Sequence, residues 1–488
     1  MKTIFDEFNK IKSGEITEHS LHYRWLDRQH NPVWVNCRGD VILDEFNKPL
    51  YLIGCVNEIG KRQKADNISG LLREPSLEEY VSSKSKNITG YFMQIGIDDF
   101  DEINGRFGLK CGDEILKQFS MCMQSCINEN QKIYELGNGR FIIMDLANHS
   151  KEDILELYDE LKKSVEVALE ENVYRVVYTI SVGIVEIDKE MKDYDTLIKY
   201  SDFALNEAKK KGKNSCYFFT QDKYKQFIRR REIRVELQNA VDHNFKNFDV
   251  YYQPIIDIHT RNLIGAEALM RFKMKRNEQI EFISPAEFIP ILEESGLIIP
   301  AGRWILRQAV ACCKKWQEFI PEFKVNVNLS YVQIIKSKIL DEIKQALKDF
   351  NLKPALLGIE VTESGYLENT YHYKKLWSSL KEEGITLILD DYGTGYSNAY
   401  RLSDLTPHYI KIDRVLTQKA LSSNYERSIL IYIIEMAHSL KLNVCIEGVE
   451  TEEELQEIKK LNPDYIQGYL FGKPAPEDEF YNRQIKKK

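Results

Sequence analysis

None of the apolar runs in the 488 residues approaches the ~20 that a membrane-spanning helix needs. The longest, Ile429–Ile434 within SILIYIIEMAHSL, reads as buried helix, so no membrane span is expected in this chain. No charged-then-apolar leader opens the sequence, and the nine cysteines form no ligand-like CxxC pair, Cys312 and Cys313 being simply adjacent. Free buried thiols in a reducing cytoplasm are the expectation. Excess positive charge is missing too. The 67 lysines and arginines stand against 75 acids, a net charge of −8. Counterion release therefore supplies no pull toward nucleic acid or an anionic membrane. A phosphate-bearing ligand must be met by local cations or metals. What is present is length, enough for about three domains with separate cores.

Three strand-like segments, LHYRWL, PVWVNCRGDVIL and PLYLIGCVNEI, are separated by turn-rich stretches and predict an antiparallel meander. Residues 1–60 resemble the C-terminal half of a PAS sensor domain. A small sheet serving only dimerisation is the alternative. The charged segment NEIGKRQKAD, Asn57–Asp66, reads as a connecting helix.

Over residues 61–220 strands and helices alternate: TGYFMQIGI, a helix around Asp113–Ile127, the hairpin KIYELGNGRFIIMDL, a helix over Glu152–Glu170, YRVVYTISVGIVEI, and a helix ending in ALNEAKKKGKN. An α/β sandwich with a mixed sheet follows. SGLL, INGRFG, CGDEIL, ISVGI and AKKKGKN resemble a GGDEF domain, the diguanylate cyclase fold, yet the signature turn reads GNGRF at Gly137–Phe141. Cyclase chemistry needs carboxylates to hold metal ions against a triphosphate. The resemblance places these at Gly96 and Arg140, so it implies a degenerate domain without cyclase activity. Asn128–Gln131 lacks the family's RxxD product-inhibition pattern. Asn104 and Asp113 match guanine-contacting positions, and Lys209 and Lys213 match phosphate-contacting ones. The resemblance thus implies GTP as an allosteric ligand, against an inert packing domain. Residues 221–240 mix alternating charge with apolar residues at helical spacing, either a rigid helical linker or an ordinary solvated helix.

Past the linker, residues 241–488 contain eight short apolar runs: DVYYQPI, LIGAEALMRF, KVNVNLS, LLGIEVTES, TLILDDYG, YIKIDR, NVCIEGVE and YIQGYLF. Eight βα-like units are the arithmetic of a TIM-type (β/α)8 barrel with its chemistry at one rim. The rim candidates are Gln253, Glu267, Asn328, Glu360, Asp390 with Asp391, Lys411, Glu447 and Gln467. Taken alone, Glu360 reads as a structural ion pair. Five carboxylates converging with an amide and a lysine need cations to be stable. Oxygen donors without histidine or cysteine suit Mg2+ or Mn2+, and so many acids suggest two ions. Paired ions clamp a phosphodiester and lower the pKa of a water for in-line attack on phosphorus.

These residues resemble the EAL family of cyclic-di-GMP phosphodiesterases over Glu232–Phe480. Glu267, Ala268, Leu269 and Arg271 carry the name motif, and YYQPI, FISPAEFIP, VNVNLS, EVTES, DDYGTGYS, IKIDR, EGVET and QGYLFGKP stand where the family has them. The resemblance implies a metal shell of Glu267, Asn328, Glu360, Asp390, Asp391 and Glu447, with Asp390 bridging both ions. Lys411 would orient the attacking water, or act as a charge-neutralising partner, or both. Gln253, Leu269, Arg271 and Gln467 resemble substrate contacts. Glu363 resembles an anchor of the loop after the DDYGTG strand, its alternative being a helix N-terminal acid. The resemblance further implies hydrolysis of cyclic-di-GMP to pGpG by a homodimer. A catalytically silent cyclic-di-GMP receptor or scaffold is the competing expectation. The fold class expected is α/β multidomain: a PAS-like antiparallel sheet, a cyclase-like sandwich and a TIM-type barrel.

Overall fold

The segments Glu18–Leu26 (β1), Pro32–Leu43 (β2) and Pro49–Ile59 (β3) form a three-stranded antiparallel sheet in that order, the meander their alternation predicts. The computed structural model describes residues 9–486 except 14, 17, 27–31, 45–47, 60–64, 67, 85–88, 148, 171–175, 188–192, 277, 363–369 and 394–405. Asn57, Glu58 and Ile59, expected to begin a connecting helix, instead end β3, paired with Asn36, Val35 and Trp34. The long β2 offers ladder partners to the last residues of β3, and that pairing overrides the helical pattern of the charged run. Ala65, also expected in that helix, makes an isolated bridge to Leu72.

The chain divides into two compact units, Met1–Gln226 and Phe227–Lys488. In the first, Leu72–Arg73 (β4), Gly90–Ile97 (β5), Gln131–Gly137 (β6), Arg140–Asp145 (β7), Ile180–Ile187 (β8) and Cys216–Phe218 (β9) form a mixed sheet of order β4-β6-β7-β5-β8-β9. Its central strands β5, β7 and β8 bury both faces, which is why they read as nearly unbroken apolar runs. Ile95, Phe141 and Ile143 meet Ile115, Phe119 and Leu161 of the helices Leu109–Cys126 and Lys151–Glu170. Phe92, Ile142 and Met144 on the other face meet Leu77, Val81 and Leu197 of the helices Glu74–Ser83 and Tyr194–Lys210. Gly137, Asn138 and Gly139 all take positive φ in the turn between β6 and β7. A single helix covers Gln221–Asp242, burying Ile233, Leu237 and Ala240.

In the second unit Phe248–Asp257 (β10), Leu263–Arg276 (β11), Gln279–Ile283 (β12), Lys324–Asn328 (β13), Leu357–Thr362 (β14), Thr386–Tyr392 (β15), Tyr409–Ile412 (β16), Asn443–Glu447 (β17), Tyr465–Gln467 (β18) and Ala475–Pro476 (β19) share one sheet. Pairing of β10 with β11 closes eight of them into a barrel. β11 and β13–β18 run parallel, but β10 is antiparallel to both its neighbours, a departure from eight equivalent βα units. Residues 258–262 are too few for a parallel crossover, which takes a dozen or more residues, so a hairpin is the available connection.

Among the described residues no helix is long and apolar enough to cross a membrane. The apolar run expected to form buried helix lies in the helix Asn424–Ser439, which buries Leu430, Ile434 and Ala437 on one face. Tyr425 and Tyr432 are 75% and 70% exposed on the other.

Candidate active site

Side chains alternate along each barrel strand, and at the carboxyl ends of the parallel strands the inward ones are polar. β11 supplies Glu267, β13 Asn326 and Asn328, β14 Glu360, β15 Asp390, β16 Lys411, β17 Glu447 and β18 Gln467. Lys411 is 1% exposed and central. Its Nζ lies 2.7 Å from Glu267, 2.9 Å from Glu360, 2.7 Å from Glu447 and 3.6 Å from Asp390. Asn328 Nδ2 donates to Glu267 Oε1 at 2.7 Å, and Gln467 Nε2 donates to Glu267 Oε2 at 2.8 Å and to Gln253 Oε1 at 3.0 Å. Gln253 reaches the group from the antiparallel strand because it pairs with Glu267 in register.

Asp390 and Asp391 are adjacent, so a regular strand would point them to opposite faces. Two features change that. The register between β15 and β16 shifts between Leu389 and Tyr392, and Asp391 sits at φ 55°, in the left-handed region that aspartate tolerates better than most residues. Such a bulge re-aims a side chain. The Asp391 amide donates to Asp390 Oδ1 at 2.9 Å. As a result Asp390 belongs to two groups whose ligand atoms lie within 4.8 Å of one another, one with Glu267 and Glu360, the other with Asp391 and Glu447.

Burial, then repulsion from Glu267, raises the Glu360 carboxyl well above the usual range. Burial also raises Asp390, with Glu267 adding to it. Burial followed by repulsion from Asp390 brings Asp391 up to about 6, and burial brings Glu447 to about 8. Burial acts on Glu267 in the same sense, but Lys411, Gln467 and Asn328 outweigh it and hold that carboxyl low. For Lys411 burial favours the neutral amine, and the surrounding carboxylates more than offset it. Fully ionised, the five carboxylates around one ammonium would carry an excess of four negative charges, which two divalent cations would offset. The donors are all hard oxygens, so both groups can hold a metal ion of that class.

A cavity of about 260 Å³ opens over this rim, lined by Gln253, Glu267, Leu269, Asp390, Lys411 and Gln467 among others. Leu269 also borders a neighbouring cavity of about 610 Å³ with Arg271 and Asn328. Arg271 donates to the Met270 carbonyl at 2.9 Å, and burial lowers its pKa. Glu363 lies outside the described residues. One group escapes a reading of strand ends alone. Asn326 Nδ2, one layer deeper than Asn328, donates to Glu360 Oε1 at 2.8 Å and to the Tyr409 hydroxyl at 2.6 Å. The signal was the N-x-N alternation in KVNVNLS, which puts both amides inside.

Residues 64–215 match the family model described as diguanylate cyclase, GGDEF domain, and residues 234–474 match the EAL domain model. The chain carries a GGDEF domain followed by an EAL domain. It is 31% identical over 399 residues to the signaling protein YkoW of Bacillus subtilis, covering 81% of this chain and 48% of that protein. It is 27% identical over 464 residues to the cyclic di-GMP phosphodiesterase PdeR of Escherichia coli, covering 94% of this chain and 68% of that one. The chain spans about half the length of most of the curated relatives it matches. The solved EAL enzyme Bd1971 with cAMP and cyclic-di-GMP bound shares the fold, with a TM-score of 0.50 and 24% identity over 70% of this chain and 82% of that one.

In the GGDEF domain Gly96 and Arg140 face each other across β5 and β7. Arg140 reaches Asp202 at 3.5 Å. Lys213 holds Asp99 at 2.6 Å, which raises the lysine's pKa. Asp113 is exposed, and Asn104 abuts Gly112, where a Cβ would lie 1.9 Å from its Oδ1. Lys209 ends beside Gly96.

Proposed function

We propose that the EAL domain hydrolyses cyclic-di-GMP to linear pGpG with two Mg2+ or Mn2+ ions. The observation that carries this reading is Asp390 shared between two carboxylate groups around one buried lysine. Glu267, Asn328, Glu360, Asp390, Asp391 and Glu447 would hold the ions. When bound, these ions supply Lewis-acid polarisation of the phosphoryl group and acidify a water for in-line attack. Lys411 holds Glu267, Glu360 and Glu447 in place with its three N–H groups, and one of these would turn to orient the attacking water once an ion takes over its carboxylate. Gln467 Oε1 is buried without a hydrogen-bond partner among the described residues, an acceptor suited to a donor on the substrate. Gln253 and Leu269 line the same cavity and position the substrate there. Arg271 supplies a planar guanidinium for a phosphate oxygen. These roles are supported by the rim geometry and by relatives named as cyclic di-GMP phosphodiesterases.

The remaining parts serve regulation. Residues 1–60 act as a PAS-like sensor segment, residues 61–220 as a non-catalytic GGDEF domain whose Asn104, Asp113, Lys209 and Lys213 contact GTP, and residues 221–240 as the helical connection to the barrel at 241–488. The protein works in the cytoplasm as a homodimer.

The test is direct. Purified full chain with cyclic-di-GMP and Mg2+ or Mn2+ yields pGpG, and Glu267→Ala or Lys411→Ala lowers turnover about a hundredfold or more. Absence of pGpG under either metal, with cyclic-di-GMP binding retained, would make the chain a receptor. GTP is expected to change the rate. A rate indifferent to GTP would remove the regulatory role of the GGDEF domain.

A further inference from the structure

The residues of the GGDEF domain do not fit the metal ions that cyclase chemistry needs. Both carboxylate groupings able to hold a metal, among the described residues, lie in the barrel. A Cβ on Gly96 would sit 3.1 Å from the Lys209 ammonium and 3.3 Å from its Cε, so a lysine's charged end fills the space where a carboxylate would begin. Opposite stands Arg140, whose pair with Asp202 is long at 3.5 Å and 40% exposed on both sides. Asp202 is meanwhile engaged by Gln94 Nε2 at 2.6 Å. The nearby acids are committed as well. Asp98 accepts from Thr179 at 2.7 Å, Ser181 at 2.8 Å and the Asn214 amide at 3.1 Å, and Asp99 holds Lys213. The half-buried Lys209 ammonium has no hydrogen bond or ion pair with any described residue. Asn104 Oδ1 is buried against Gly112 and has no hydrogen-bond partner among the described residues.

We infer that this domain binds the triphosphate of GTP directly on Lys209 and Arg140, without a divalent ion. The inference deepens the reading of the domain as a GTP-binding regulator and rests on it. Side-chain cations here do what a metal does in a cyclase. Arginine presents a fork to phosphate oxygens, and lysine a point charge. Because both cations repel a divalent ion, the uncomplexed triphosphate is the preferred form. Mg2+ should therefore weaken binding.

Isothermal titration of the full chain with GTP, in EDTA and then in excess Mg2+, reads this out. Binding is expected in EDTA and weakens about tenfold in Mg2+, where both the metal and the protein compete for the same phosphate charge. In EDTA, Lys209→Gln and Arg140→Gln each weaken it about tenfold, the size of one charge-assisted hydrogen bond. Gly96→Asp, which puts a carboxylate against Lys209, weakens it likewise. Thermal melts check that each variant folds. GTP binding only with Mg2+ overturns this inference and leaves the regulator reading standing, and binding in neither medium overturns both. Unchanged affinity in folded Lys209→Gln and Arg140→Gln overturns the assignment to these cations.

Discussion

Glu360 is fully buried, and its position depends on Asn326 beneath it as much as on Lys411 beside it. Asn326→Ala leaves a Glu360 oxygen and the Tyr409 hydroxyl without that donor, at a cost of about 1–3 kcal/mol. Urea denaturation measures the stability, and turnover against Mn2+ concentration measures the site. A higher Mn2+ requirement is expected, whereas an unchanged one would reduce Asn326 to a packing role. A second buried acid, Glu135 on β6, accepts from Ser69 Oγ, and burial followed by the nearby Asp66 raises its pKa to about 6. Its folded pKa lies above the unfolded value, so its contribution is complete below about 4.5 and is lost as pH rises through about 6. Melts of wild type and Glu135→Gln across that window should differ in slope, by a loss on the order of 1 kcal/mol in the wild type only. Equal slopes would mean that Glu135 does not titrate there. The rim acids were legible because each ends an apolar run. Asn326 was not, since a polar residue inside a strand carries no mark of what it supports. Nor was the shared orientation of Asp390 and Asp391, which depends on one left-handed residue.

Elements meet where small residues let them. β8 and the helix Tyr194–Lys210 approach so closely at Gly183 that a Cβ there would lie 2.2 Å from the Leu205 amide nitrogen and 2.7 Å from the Ser201 carbonyl oxygen. Backbone cannot yield as a flexible side chain does. Gly183→Ala should therefore cost about 3 kcal/mol, the upper range for overpacking, and lower the melting temperature of the GGDEF domain in calorimetry. An unchanged melt would show that the helix can slide at no cost. The motif ISVGI marked this strand in the sequence, but its glycine says nothing of the helix until the two are docked. The eight barrel strands were legible from apolar runs ending in polar residues. The direction of β10 was not, because run length carries no polarity. The short 258–262 link was the clue, read only with the rule that parallel neighbours need a long crossover.

At the scale of the whole molecule, a net charge of −8 hides a local concentration of five carboxyl groups around one lysine at the barrel rim. The barrel core draws on residues from Ile233 to Ile485, while the buried clusters of the GGDEF domain lie within Leu71–Ile184 and Leu77–Leu197. A ligand that binds only the folded barrel stabilises that unit by mass action, about 2.7 kcal/mol at a hundredfold excess over Kd. Scanning calorimetry of the full chain with increasing Mn2+ should move upward the transition that carries the barrel and leave the transition of the first unit where it was. Asp390 belongs to both carboxylate groups, so Asp390→Ala should abolish the shift. Asp391→Asn removes a charge from one group only, so it should keep part of the shift. Equal shifts in the two variants would mean that the groups do not share Asp390 when ions are bound, and the two-ion reading of the rim would fall with them.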